Sequence, residues 1–88
     1  MNVLLVNSNQ SFKSAVASSL KGYKPKLFVS EKTDDVPVDI QKNGIQTVIM
    51  NWASGDFDIE TLCRRIRRMK TSKYIFILVV TAREREKA

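Results

Sequence analysis

Residues 47–58, "TVIMNWASGDFD", run apolar from Val48 to Met50 and then break on Asn51 and Trp52 before a small, acidic loop. A buried strand that ends on an amide marks a place where a polar side chain has work to do, and the surrounding chain shows what kind of sheet it ends. Three further apolar runs match it: "NVLLV" (2–6), "KLFV" (26–29) and "YIFILVV" (74–80). None alternates cleanly with polar residues, which predicts strands covered on both faces, as in a parallel sheet.

Helical patterns separate these runs. Phe12, Val16 and Leu20 recur at four-residue spacing, with Ala15 on the same side and Gly22 as a stop signal, and predict an amphipathic helix from Ser11 to Leu20. Ile59, Leu62, Ile66 and Met69 form a second stripe over Asp58–Lys70, with Asp58 as N-cap and Glu60 favourable in the first turn. Val36, Pro37 and Ile40 predict a shorter helix between Asp34 and Asn43. The order strand, helix, strand, short helix, strand, helix, strand predicts an α/β fold of three layers, a four-stranded parallel sheet in the order 2-1-3-4 with right-handed crossovers. Functional crevices in such sheets lie at the carboxyl ends of the strands. Here those ends are "NSN" after the first strand, Asn51 after the third and Thr81 after the fourth.

Composition narrows the possibilities. The chain has 88 residues, 43% hydrophobic and 27% charged, which predicts one small domain spanning 1–88 with a modest core. One Cys (Cys63) and no His exclude an internal disulfide and offer no zinc or haem constellation. The apolar runs are too short to cross a bilayer, and no signal sequence precedes "NVLLV", so a cytoplasmic location and no membrane contact are expected. The net charge is +6, concentrated in "RRIRRMK". With Ile66 and Met69 turned inward, Arg64, Arg65, Arg67, Arg68 and Lys70 spread over the solvent side of the helix and its carboxyl end, where cations suit the helix dipole. Without aromatic residues among them, nucleic-acid binding is a minor alternative.

The three strand ends in register resemble the receiver domain of two-component response regulators, a flavodoxin-like fold. "VLLVNSNQSF" stands where receivers carry a strand followed by an acidic pair, "TVIMNWASGDFD" where they carry the phospho-accepting aspartate, and "ILVVTA" where they carry a switch Thr or Ser. The resemblance spans the whole chain but only about three quarters of a usual receiver. It implies a domain lacking the final strand and helix, with the family's strand-five Lys lying beyond Ala88.

Carried over position by position, the resemblance implies a degenerate pseudo-receiver. Asn51 occupies the phospho-acceptor position, Asn7 and Ser8 occupy the acidic-pair positions, and Trp52 and Ala53 line the pocket loop, with Ala53 at a place where only a backbone carbonyl is used. Thr81 keeps the switch hydroxyl. An amide cannot form the acyl phosphate, and neutral replacements remove both the carboxylate repulsion and the charge that holds Mg2+. Asp56 and Asp58 lie in the following loop, away from the pocket positions. No catalytic residues, no enzyme activity and no cofactor are expected, with Mg2+ binding weak or lost. The expected role is phosphorelay-type signal transduction through protein partners without phosphorylation at the usual position, with a basic nucleic-acid-associating or structural domain as the alternative.

Structural roles are open for the same residues. Asn51 suits capping of the next loop by accepting backbone hydrogen bonds, Asn7 and Ser8 suit capping of the first helix, and Trp52 suits either an exposed contact or the pocket edge. Cys63 reads as a packing residue. Finally, without a fifth strand, Tyr74, Phe76, Leu78 and Val80 stand on a bare apolar edge, which predicts self-association into a dimer by edge pairing or exchange of elements, the alternative being that the chain is a fragment of a longer receiver.

Overall fold

The computed structural model describes residues 1–52, 58–70 and 74–81. Four parallel strands, β1 (Asn2–Val6), β2 (Lys26–Ser30), β3 (Thr47–Trp52) and β4 (Phe76–Thr81), form one sheet in the order β2-β1-β3-β4. Three helices connect them: α1 (Gln10–Ser19), α2 (Val36–Asn43) and α3 (Ile59–Arg68). Short 3-10 turns at Lys21–Tyr23 and Thr33–Asp35 lead into β2 and α2.

The layers follow from side-chain alternation along β1 and β3. Leu4, Val6, Val48 and Met50 point to one face, where they are sealed by Val36 and Ile40 of α2 and by Leu62 and Ile66 of α3. Val3, Leu5 and Ile49 point to the other, where Phe12, Val16 and Leu20 of α1 and its C-cap cover them. Both central strands are thus buried on two sides, as their unbroken apolar runs predict. α1 is the lighter element, with no fully buried residue, and Ala15 lies exposed outside its apolar stripe.

β4 departs from the expectation of two-sided cover. Ile75 and Ile77 pack toward α3, whereas Phe76 is 64% exposed and Leu78 55% exposed. In a parallel pair, residues in register share a face, so Leu78 lies beside Ile49 on the α1 side of the sheet. α1 packs over β1, β2 and β3 and stops there, which leaves the α1 side of β4 open.

Helix boundaries obey their caps. Asn9 caps α1, its Oδ1 accepting from Phe12 N at 2.8 Å. The expectation that Asn7 and Ser8 cap this helix is therefore corrected, because the helix begins one turn position later than they can reach. α1 ends at Leu20, before Gly22, and the left-handed residue there is Lys24 (φ 49°). α2 has Pro37 in its first turn and closes on Gly44 at φ 58°, a left-handed C-cap that favours glycine. At the amino end of the sheet, Asn2 Nδ2 donates to Asn43 O at 2.7 Å and ties this C-cap to β1. At the other end, the buried Ser30 hydroxyl donates to Asp39 Oδ2, joining β2 to α2.

Candidate functional site

The carboxyl ends of β1 and β3 meet at Asn7 and Asn51, in line with the register that pairs Val6 with Met50. Asn7 leaves β1 in the left-handed region (φ 61°), which Asn tolerates better than most residues because its short amide bonds locally. That turn aims the amide across the sheet. Asn7 Nδ2 donates to Asn51 O at 2.8 Å, and Asn51 Nδ2 donates back to Asn7 O at 3.2 Å. Each side chain therefore satisfies the other's main-chain carbonyl, and the two strand ends are laced together by a reciprocal pair of amide bonds.

The Asn51 bond to β1 uses its side-chain nitrogen as the donor. Capping of the next loop by its side-chain oxygen concerns residues 53–57, which lie outside the described residues. The residue also lies inside the strand, because β3 continues through Trp52. The continuation comes from β4: Asn51 pairs with Val80 and Trp52 with Thr81. Thr81 is accordingly one position beyond the Asn51 level, half-buried beside half-buried Trp52. Ser8 Oγ donates to Asn9 O at 3.1 Å and helps shape the turn into α1. Ala53 and Asp56 lie outside the described residues.

Metal fit is decided by donor chemistry. Mg2+ draws on anionic oxygens in near-octahedral geometry. Asn7, Ser8, Asn51 and Thr81 are all neutral, and the Asn7 and Asn51 carbonyls already accept amide protons. Among the described residues, no group of three or more His, Cys, Asp or Glu could hold a metal ion. These residues do not fit Mg2+.

The nearest carboxylate in sequence among the described residues, Asp58, is committed to α3. Its Oδ1 accepts from Thr61 N at 3.0 Å and its Oδ2 from the Thr61 hydroxyl at 2.8 Å. These bonds, the backbone one first, hold its pKa below the usual carboxylate value. Cys63 is half-buried against the core, and burial pushes its thiol pKa up, away from the reactive thiolate.

The basic run on α3 is largely engaged within the fold. Arg64 pairs with Glu60 at 3.3 Å one turn back, and Arg65 reaches Asp34 at 3.3 Å. Both pairs are solvent-exposed, so each is worth a few tenths of a kcal/mol at most, on the order of 0.2–0.5. Arg67 is more structural: Nη1 donates to Ile75 O at 2.7 Å and its guanidinium lies 4.7 Å from the Tyr74 ring centroid. It braces the entry to β4, where Tyr74 and Phe76 meet edge to face at 5.1 Å. Arg68 and Lys70 are exposed at the helix end. The sequence alone does not assign the roles of Asn9 and Arg67: the first follows a simple Asx-before-helix signal, and the second has no local signal because its partners, Tyr74 and Ile75, come from the approach to β4.

Comparison with known proteins supports the fold. No protein-family model and no curated protein matches the chain. Among solved structures, it is similar to the NMR structure of the pseudo-receiver domain of the CikA protein, with a TM-score of 0.67 and 14% identity. The match covers 89% of this chain and 66% of that one, so the chain spans just under two thirds of the other's length. The fold is receiver-like: a flavodoxin-like α/β arrangement with the sheet order 2-1-3-4. No helix among the described residues is long and apolar enough to cross a membrane.

Proposed function

We propose that this chain is a degenerate receiver, a cytoplasmic module of two-component-type signalling that works through protein contacts and neither accepts a phosphoryl group at Asn51 nor uses Mg2+. The observation that carries this reading is the reciprocal Asn7–Asn51 bonding. In an aspartate-based receiver the corresponding ends repel one another unless a cation sits between them. Here two amides supply the cohesion directly, and the position of the nucleophile is occupied by a group whose nitrogen lone pair is delocalised and unreactive. The two-way bond is a structural substitute for the cation.

The fold similarity to a pseudo-receiver domain adds to this reading at the level of architecture. Of the basic residues on α3, Arg67 is held by the Ile75 carbonyl and the Tyr74 ring, which leaves it less free to meet phosphates and weighs against a nucleic-acid-binding face. The direct test is incubation with acetyl phosphate and Mg2+, followed by intact-mass measurement. No adduct of phosphoryl mass is expected. An acid-labile adduct on any carboxylate overturns the proposal. A parallel Mg2+ titration followed by amide shifts should leave Asn7 and Asn51 unmoved.

A further inference from the structure

All four strands are parallel and each helix returns the chain to the start of the next strand, so the three helix-to-strand connections meet at the amino end of the sheet. Backbone bonds fix that meeting. Lys26 N donates to Met1 O at 2.8 Å, Gln46 N to Asn2 O at 3.0 Å and Phe76 N to Gln46 O at 3.0 Å. The strand starts therefore lie level, on the order of 15 Å across at about 4.8 Å per strand pair.

Charge is sorted between the two ends of the sheet. The helix-to-strand connections, residues 20–27, 41–47 and 67–76, contain no acid. They carry Lys21, Lys24 and Lys26, then Lys42, then Arg68, Lys70 and Lys73, besides the Arg67 that the Ile75 carbonyl holds. At the carboxyl end, the connections from β2 and β3 carry Glu31, Asp34, Asp35, Asp56 and Asp58 against Lys32. Asp56, Lys73 and the mixed charges of residues 83–87 lie outside the described residues. Lys21, Lys24, Lys26, Lys42, Arg68 and Lys70 are all exposed, and the ion pairs among the described residues, Arg64–Glu60 and Arg65–Asp34, engage none of them.

The helix dipole accounts for part of this set. Lys42 and Arg68 stand in the last turns of α2 and α3, where cations are favoured. Lys24 and Lys26 stand outside any α-helix. Lys24 also takes the left-handed conformation (φ 49°) directly before Pro25, which both its own side chain and the following proline disfavour. Beside it Tyr23 is 70% exposed. Strain of this kind, next to an open aromatic ring and among unpaired cations, marks a surface shaped for contact.

We infer that the amino end of the sheet binds an acidic segment of a protein partner, with Tyr23 as its anchor and Lys24 and Lys42 among the cations that meet its carboxylates. An extended segment of about five residues spans the end at about 3.3 Å per residue. The free cations are mostly lysines, hydrated point charges on flexible stems that suit carboxylates presented by a mobile segment, whereas the planar Arg fork is the preferred reader of phosphate. A nucleic-acid strand also needs a row of stacking platforms. Tyr23 alone lies among the lysines of its connection, and at the far edge the Tyr74 ring is taken up by Arg67 and by Phe76. Tyrosine is a frequent anchor in protein interfaces, with charges around it steering the approach.

The test is a titration of the 88-residue chain with a short polyglutamate peptide at low salt, read by amide shifts and fluorescence anisotropy, with an oligothymidylate of matched charge as the other class of polyanion. Polyglutamate should move the signals of Tyr23, Lys24, Gly44 and Lys70 and leave Asn9 and Asp58 in place. Lys24→Glu with Lys42→Glu should weaken binding by at least about tenfold. Lys13→Glu with Lys32→Glu, an equal change in net charge at the other end, should weaken it by less than about twofold. Lys24→Gly removes one cation and eases the left-handed turn, so it should fold at least as stably as the parent and bind about two- to fivefold more weakly. No binding at low salt overturns the inference, as do equal losses in the two charge-matched variants or unchanged binding by Lys24→Gly. Tighter binding of oligothymidylate at the same residues overturns it in favour of nucleic acid. The inference rests on the reading that this chain works through protein contacts. A phosphoryl adduct would overturn the phosphorylation-independent part of that reading and leave these titrations as they are, whereas equal losses in the charge-matched variants would remove the inference alone.

Discussion

The carboxyl ends of β1 and β3 and the outer edge of β4 lie within one strand of each other, yet they dispose of their polar groups in opposite ways. At the strand ends, each amide of Asn7 and Asn51 is spent on the other's carbonyl. Along β4, the backbone of Ile77 and Val79 faces outward with no second strand among the described residues to meet it. The strand ends are tied to each other, whereas β4 carries exposed Phe76 and Leu78 on the side of the sheet that α1 does not cover.

Both regions depend on β3, and the largest effect comes from weakening it. Met50 is fully buried in the strand that carries Asn51 and bonds β4. Met50→Ala should lower stability by about 2–5 kcal/mol in denaturant titrations, whereas Val80→Ala on the open edge should change monomer stability by roughly 0.5 kcal/mol or less. Comparable losses at the two positions would mean that β4 is covered after all.

Asn51→Asp probes the laced strand ends at the next level, about 1–2 kcal/mol at neutral pH. The substitution exchanges an N–H donor for an anionic oxygen facing the Asn7 carbonyl. That arrangement favours the protonated acid, so the folded-state pKa of the new side chain lies above its unfolded value near 3.9. The penalty is full above the folded pKa and disappears below the unfolded one, where the carboxylic acid again donates. Unfolding at neutral and acidic pH, each compared with the parent protein, should show the deficit closing as pH falls. The same substitution should not restore phosphorylation, because Asn7 and Ser8 still supply no carboxylate.

The smallest effect concerns Asp58, which caps α3 beside this region and is fully solvent-exposed. Its pKa is lowered by the Thr61 bonds, so its contribution is present above the ordinary value of 3.8 and is lost as pH falls through the depressed one. Asp58→Ala should flatten the acid limb of stability against pH, as read by denaturant titrations at several pH values. An acid limb equal to the parent's would mean that the Thr61 bonds do not hold the carboxylate in solution.

Much of this arrangement is legible in the sequence because two-sided burial leaves a simple trace. "NVLLV" coincides with β1, and Val48–Met50 form the buried centre of β3. Asp58 caps α3 as its position predicts. What escapes is whatever depends on a distant partner. β3 extends through Asn51 and Trp52 because β4 lies alongside to pair with them, which no local pattern records. The mutual bonding of Asn7 and Asn51 joins residues 44 apart and requires a left-handed turn at Asn7. β4 shows the converse limit: an apolar run tells what could be buried, and only the placement of α1 tells that one face is left open.

The position of β1 has a kinetic consequence. It is the first strand in the chain and an inner strand of the sheet, paired with β2 and with β3. During synthesis at about 5–20 residues per second, its four buried side chains must wait several seconds for the β3 segment to follow. Closing that long loop is entropically demanding, and a nucleus built on the β1–β3 pairing is the arrangement that refolding kinetics would test. Substitutions there should slow refolding, while substitutions on β4 should act mainly on the unfolding rate.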